Sequence, residues 1–336
     1  MRITLKEIAE LAGVSPSTVS RVINNSKPVN EDIRNRILRI MQERNYPFFA
    51  DQNASLQKSQ PLIGVIGPQY SNTVLEDLIV GVNKVSKLYG YDTVIGLTDN
   101  TTENELHYVN LFSNVLGVQG IIFMGNQWND YYIEKAKQNL TPVVLVGQIS
   151  SYESIPSVHV DNITASYEAV TYLINCGHEK IAMIRGLAGE TVREHRYIGY
   201  QKALHDSGLS LKKEWIVESE LTLEGGGRAM AELLAQENLP TAVFCSTDSL
   251  AIGAMNYLAD NGYQVPEDIS VFGFDGIELS SLVRPNLSTI RYSAVEIGMT
   301  ATRNLIKLCK NEQEYIPPHI NVLHHLVIRD STKTLG

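Results

Sequence analysis

Apolar residues recur at the spacing of one helical face over Leu5, Ile8, Ala9 and either Leu11 or Ala12, and again over Val19, Val22 and Ile23. The two runs predict two short helices separated by Gly13-Val14-Ser15. Thr4 followed by Glu7 has the spacing of a capping box, which starts the first helix at about Leu5. Gly13 suits the left-handed residue that ends a helix, and Val14 fits the angle between the two. Ser15 then caps a second helix that accepts Pro16 in its first turn. A third helix is predicted from about Glu31 to Arg44 behind Asn30, with Ile33, Ile37, Ile40 and Met41 inward and Arg34, Arg36, Arg39 and Arg44 outward. Two short helices about a tight turn, backed by a third, are the unit that lays a helix in the DNA major groove. The second helix would present Pro16, Ser17, Thr18, Ser20 and Arg21 near its outer, N-terminal end.

After Tyr46 the periodicity stops, and the polar run from Pro47 to Pro61 reads as a linker. From Leu62 onward, short apolar runs alternate with helical periods to the end of the chain, the signature of doubly wound parallel sheets. The first strand candidates are 62–67, 92–97, 120–124 and 142–146, separated by helices near 74–89, 102–116 and 129–139. A second series has strands at 157–160, 180–184, 215–218, 241–245 and 269–273, with helices near 163–176, 193–207, 225–237, 248–262 and 294–310. Two such lobes would form a cleft, and ligands in these sheets bind beyond the carboxyl ends of the strands.

Charge adds a division of labour. The chain of 336 residues is 43% hydrophobic and 19% charged, with a net charge of -9 that argues against nucleic-acid binding by the molecule as a whole. Residues 1–58, however, carry nine Lys and Arg against six Asp and Glu, a net +3, which leaves -12 on the remainder. A basic head on an acidic body confines DNA contact to the head. No apolar run reaches signal-peptide or membrane-span length, so a cytoplasmic protein without a membrane partner is expected. Cys176, Cys245 and Cys309 are far apart, in apolar surroundings and without CxxC spacing, which predicts buried free thiols. No phosphate loop, HExxH site or GxSxG elbow occurs, Gly225–Gly227 reads as a loose helix start, and His324-His325 alternates faces on a strand. Tyr131-Tyr132 reads as surface or interface packing. The residues therefore predict no catalytic group, no metal and no cofactor.

The head TLKEIAELAGVSPSTVSRVINN, the later segments VPEDISVFGFD (265–275) and RPNLSTI (284–290), and the pieces at 159–162, 176–181, 196–204, 248–253 and 326–331 fall in one order across nearly the whole chain. In that order they resemble the lactose and galactose repressor (LacI/GalR) family. The resemblance implies a small all-α helix-turn-helix headpiece, a hinge, and an α/β two-lobe core like periplasmic sugar-binding proteins. It also implies a homodimer on double-stranded, palindromic operator DNA, gated by a small-molecule effector, a sugar by default. The expected division is headpiece 1–46, hinge or linker 47–60 and ligand-binding and dimerisation core 61–336. The core would split into an N-lobe of about 61–157 with 288–318 and a C-lobe of about 158–287 with 319–336.

Carried over residue by residue, the resemblance puts DNA contacts on Thr4, Ser15, Pro16, Ser17, Thr18, Ser20, Arg21 and Asn24. Pro16 lacks a donor and would offer only apolar contact, which leaves base discrimination to Ser17 and Arg21. A solvated charge near a helix end is the alternative for Arg21. The hinge departs from the family pattern: Pro47 directly follows Tyr46, and Asn53-Ala54-Ser55-Leu56 stands where Ala-Arg-x-Leu is usual. Leu56 is the candidate minor-groove wedge, a plain linker being the alternative. In the core, the ligand-gripping arginine falls on Arg196 and the aspartate on Asp275, whose guanidinium and carboxylate suit paired sugar hydroxyls. An interlobe salt bridge for Arg196 and a structural turn cap for Asp275 are the alternatives. Further ligand positions are Asn72, Thr247 and Leu221, which replaces an aromatic that some members stack on the ligand. Asp248 reads as a helix N-cap. Rival readings are a catabolite-control regulator governed by a phosphorylated carrier protein, and a sugar-binding protein or α/β enzyme.

Overall fold

The computed structural model describes residues 4–24, 29–43, 60–68, 73–99, 101–125, 141–149, 155–187, 191–312 and 315–335. The chain divides into two compact units, Met1–Gln60 and Pro61–Gly336. In the first, α1 (Leu5–Ala12), α2 (Pro16–Asn24) and α3 (Glu31–Glu43) close on a small core of Ile8, Ala9, Ala12, Val19, Val22, Ile37 and Met41. Val14, Ile23, Ile33 and Ile40 pack against it. Leu11 is exposed, so the inner face of α1 ends on Ala12.

The second unit holds two six-stranded sheets. The first is built from β1 (Leu62–Pro68), α4 (Thr73–Leu88), β2 (Asp92–Thr98), α5 (Thr102–Asn110), β3 (Gly120–Phe123), β4 (Val143–Val146) and β5 (Ser157–His159). The second begins with α6 (Asn162–Asn175), β6 (Ile181–Gly186), α7 (Thr191–Asp206) and β7 (Ile216–Ser219). It continues through α8 (Leu223–Leu234), β8 (Ala242–Cys245), α9 (Asp248–Asp260), β9 (Ser270–Asp275) and β10 (Ser288–Tyr292). The chain then returns through α10 (Ala294–Cys309), β11 (His319–Asn321) and β12 (His324–Val327). Strand orders are β11-β5-β4-β3-β1-β2 and β12-β10-β9-β8-β6-β7, parallel except for β10 against β12. Strands β3, β4 and β8 are buried along their whole length, as expected where helices cover both faces. In each sheet the order reverses beside the first strand, between β1 and β3 and between β6 and β8, which is where such folds open a ligand crevice.

Three segments lie in the other sheet from the one the sequence pattern suggests. Strand β5 belongs to the first sheet, beside β4, although the expected boundary falls inside it. Strand β10 pairs with β9 in the second sheet although 288–318 is expected in the first lobe, and β11 pairs with β5 in the first although 319–336 is expected in the second. Helix α10, on the first-lobe core, and β12, in the second sheet, lie where those segments are expected. Sheet membership here is decided by pairing between distant segments, such as the Ser157 amide donating to the Pro318 carbonyl at 2.9 Å, and apolar periodicity carries no such register. The connections after β5, β10 and β11 are consequently the three passages of chain between the lobes. The helix expected over 102–116 is α5 continued by a π-helical turn, Leu111–Leu116, and the one expected over 129–139 lies outside the described residues, as do Tyr131 and Tyr132. Cys176 and Cys245 are buried free thiols, whereas Cys309 is only half-buried and its thiol donates to the Gln119 carbonyl at 3.0 Å.

The glycine run read as a loose helix start has a packing reason. Helix α8 starts at Leu223, where the Thr222 hydroxyl caps it by accepting from the Gly225 amide at 2.9 Å, and it lies directly on α9. A Cβ on Gly253 would fall well inside van der Waals contact with the Leu223 carbonyl, and one on Gly226 would do the same with the Leu250 carbonyl. Backbone cannot retreat as a flexible side chain can. Gly253→Ala is expected to lower stability by about 2–3 kcal/mol through overpacking, read as a lower urea midpoint at constant slope; a wild-type midpoint would contradict this helix contact.

Candidate functional site

In the headpiece the capping chemistry sets the angle of the second helix. The Thr4 hydroxyl accepts from the Glu7 amide at 3.4 Å while a Glu7 carboxylate oxygen accepts from the Thr4 amide at 2.6 Å, which fixes the start of α1. Gly13 takes φ 64°, and the Ser15 hydroxyl accepts from the Thr18 amide at 3.3 Å to start α2. Ser15 also contacts the Ser17 and Thr18 hydroxyls at 2.8 and 2.9 Å. With Val19 and Val22 buried, Ser15, Pro16 and Ser17 are exposed at the start of α2 and Arg21 is exposed in its last turn, with Thr18 and Ser20 half-buried between them. Asn30 starts α3 by accepting from the Asp32 amide at 2.9 Å, and Arg34, Arg36 and Arg39 lie on the exposed side of that helix. Asn24 ends α2, with its side chain outside the described set, and Leu56 and Asn72 lie outside the described residues.

The second site lies at the carboxyl ends of the second sheet. Arg196, on α7, reaches the carboxyl ends of β8 and β9, and Asp275 is the last residue of β9. They form an ion pair, Nη2 to Oδ1, at 2.9 Å, with side chains 7% and 11% exposed. The Arg196 Nε donates to Asn162 Oδ1 at 2.9 Å, its Nη1 donates to the Ser246 carbonyl, and the guanidinium lies 3.7 Å above the Phe274 ring centroid. Tyr292 donates its hydroxyl to the same Asp275 oxygen at 3.0 Å. Burial pushes the Asp275 carboxyl above the usual carboxylate range, with the Arg196 charge acting against it. Burial, and then the Asp275 charge, raises the Tyr292 hydroxyl. Arg196 thus pairs within its own lobe, not across to the other.

The neighbouring positions divide differently from the sequence reading. Thr247, expected at the ligand, is the cap of α9, its hydroxyl accepting from the Leu250 amide at 3.3 Å. Asp248, expected to be that cap, is instead fully buried behind Asp275, accepting from the Thr289 hydroxyl at 2.5 Å and the Ile277 amide at 2.8 Å. A cap must stand one residue before the first helical residue, and Asp248 is already helical. Leu221 is half-buried and packs on the second-lobe core. Asn162, Ser246, Phe274 and Tyr292 were missed as site residues. Their signal was position, since each lies within a few residues of a strand's carboxyl end. Arg185, near the end of β6, is also buried, paired with Glu194 and stacked 4.3 Å from the Tyr197 ring. Among the described residues no group of three or more His, Cys, Asp or Glu is placed to hold a metal ion, and no helix is long and apolar enough to cross a membrane.

Comparison with known proteins joins the two sites. The profile of "Bacterial regulatory proteins, lacI family" matches residues 4–47, and that of "Periplasmic binding protein-like domain" matches residues 170–332. Catabolite control protein A of Priestia megaterium is 34% identical over 336 residues, covering 99% of this chain and all of that one. The chain belongs to the LacI family. It is accordingly a DNA-binding transcriptional regulator and not an enzyme. Among solved structures, the lac repressor dimer bound to operator and an anti-inducer matches with a TM-score of 0.74 and 25% identity over 99% of this chain and all of that one. A LacI-family regulator from Enterococcus faecium with bound ribose matches with a TM-score of 0.74 and 25% identity over 82% of this chain and all of that one.

The ion pair of this LacI-family chain has a stability signature. Removing one member of a buried pair strands the other, at a cost of about 3–5 kcal/mol, while replacing both by apolar groups of similar size costs far less. Asp275→Ala is expected to show that full loss in chemical denaturation, and the double variant Arg196→Met with Asp275→Leu to recover most of it. Additive losses in the double variant would contradict the pairing.

Proposed function

We propose that this regulator is a homodimeric repressor acting in the cytoplasm, whose hold on a palindromic operator is set by a small sugar bound at the carboxyl ends of the second-lobe strands. The observation that carries the reading is the Arg196–Asp275 pair at the end of β9, next to the β6/β8 reversal, where a fork of donors and a carboxylate converge in a nearly dry site. Paired hydroxyls on a sugar ring can accept from the guanidinium and donate to the carboxylate, and the ribose held by the Enterococcus faecium relative supports that ligand class. Asn72, Leu221 and Thr247 remain candidate flanking positions. In the headpiece, Ser17 and Arg21 read bases, Pro16 supplies an apolar contact, and Thr4, Ser15, Thr18, Ser20 and Asn24 hold backbone or register. Leu56 is the proposed wedge at the operator centre. Two headpieces related by a twofold axis would engage half-sites about one DNA turn or a multiple apart, as the operator-bound lac repressor dimer supports.

The sugar acts by binding one lobe arrangement better than the other, and a hundredfold preference supplies about 2.7 kcal/mol. A second reading, catabolite control through a docked phosphorylated carrier protein, is favoured by the 34% identity with Catabolite control protein A. Calorimetry of the full chain with a sugar panel and with such a carrier separates the two.

Two outcomes are expected. Arg21→Ala weakens binding to genomic fragments selected by the wild type by about 1–3 kcal/mol if it reads a base, with sugar affinity unchanged; loss of both activities would contradict the separation of the sites. Sugar affinity measured by calorimetry falls on acidification at a pH above the usual carboxylate midpoint, because Asp275 must be ionised and burial raises its pKa. Affinity that stays flat down to the ordinary carboxylate range would contradict the role of Asp275.

A further inference from the structure

We propose that Asp248 is the positioning residue for effector recognition, clamping the backbone turn that follows Asp275 so that the Asp275 carboxylate meets Arg196. The inference rests on the sugar reading of that pair. Asp275 has φ 106° and Gly276 has φ 69°, so the chain leaves β9 through two consecutive left-handed residues, one of them not glycine. A non-glycine residue there is costly and persists only where its surroundings over-determine it. Asp248 supplies the restraint. Its side chain is fully buried at the first turn of α9, its Oδ2 accepts the Ile277 amide at 2.8 Å, and its Oδ1 accepts the Thr289 hydroxyl of β10 at 2.5 Å. It is wedged against Gly273, where a Cβ would collide with Oδ1. One carboxylate therefore ties the end of β9 to α9 and to β10, and the turn it ties carries the ligand-gripping aspartate.

The charged and titratable groups around this turn are Arg196 of α7, Tyr292 and Arg291 of β10, Asp275 itself, and Cys245 at the end of β8. Burial, and next the Asp275 charge, pushes the Asp248 carboxyl well up, while the Thr289 hydroxyl and the Ile277 and Gly276 amides act against it. The hydrogen-bond geometry accommodates a proton on Asp248: its Oδ1 can then donate to the Thr289 hydroxyl, which has the Ile290 carbonyl within reach at 3.2 Å, while Oδ2 still accepts from Ile277. Asp248→Asn reproduces that arrangement, with the amide oxygen toward Ile277 and the amide nitrogen toward Thr289. Asp248→Ala removes the acceptor altogether.

Nuclear magnetic resonance of the full chain without any sugar tests this, so a failure here is separable from a failure of the sugar reading. Asp248→Asn is expected to keep Ile277 amide exchange within about threefold of wild type and to leave the Arg196 Nε–H resonance in place. Asp248→Ala is expected to speed Ile277 exchange at least tenfold and to shift the Arg196 signal. Should Asp248→Ala fail to fold, Ile277→Pro removes the same hydrogen bond from the other side at a φ of -62° that proline adopts, and it must shift Arg196 likewise. Asp275→Asn, by removing the neighbouring charge, is expected to lower the Asp248 carboxyl midpoint in a carbon-13 titration. The proposal is overturned if Asp248→Asn is as disruptive as Asp248→Ala, if the clamp-free variants leave Arg196 unmoved, or if the Asp248 midpoint does not respond to Asp275.

Discussion

A guanidinium held away from water has to be neutralised and hydrogen-bonded on the spot, and the second lobe is arranged around meeting that demand at Arg196. Asn162 of α6, the Ser246 carbonyl after β8, and the Phe274 face and Asp275 of β9 each satisfy one part of it. A buried pair of this kind adds little net stability, since desolvation offsets most of the attraction. It does fix where α7 lies relative to the strand ends. It also leaves a fork of donors and a carboxylate beside the sheet's reversal point, the arrangement on which the proposed sugar site rests.

The rest of the core serves that placement. Asp275 can face Arg196 because the chain turns through left-handed backbone immediately after β9, and the turn is tied to α9 and β10. The same strand β10 supplies Tyr292 and then, through Ser293, passes the chain back to α10 of the first lobe. One of the three passages between lobes thus begins beside Tyr292, a residue bonded to Asp275. Under the proposed function, a sugar that displaced Asp275 would act on a segment both lobes share, a physical route for biasing the lobe arrangement.

Much of the headpiece was legible because its determinants are local. The capping box on Thr4 and Glu7, the left-handed Gly13, the Ser15 and Asn30 caps and the inward Val19 and Val22 all depend on neighbours within four residues. Most strands were legible within one or two residues for a similar reason, since runs buried on both faces are continuously apolar. Long-range pairing was not legible: β5, β10 and β11 changed lobes once their partners were known. Arg196 and Asp275 were singled out through resemblance to a family, not through spacing, because they are distant in sequence; the structure shows them as an ion pair. Asp248 and Thr247 exchanged roles because a one-residue shift of a helix start decides which side chain caps and which is buried. The close approach of α8 and α9, which explains Gly226 and Gly253, is also a property of the fold, and in the sequence the run at 225–227 read only as a loose helix start.

On the proposed function, occupancy of the Arg196–Asp275 site governs DNA binding by the head. Fluorescence anisotropy at fixed ionic strength, with full-length wild type and Asp275→Ala on the same selected genomic fragment and a sugar panel that includes ribose, tests it most directly. One sugar is expected to change wild-type affinity at least tenfold, about 1.4 kcal/mol, and to leave Asp275→Ala unmoved. No response to any sugar, or an equal response in both proteins, would contradict it.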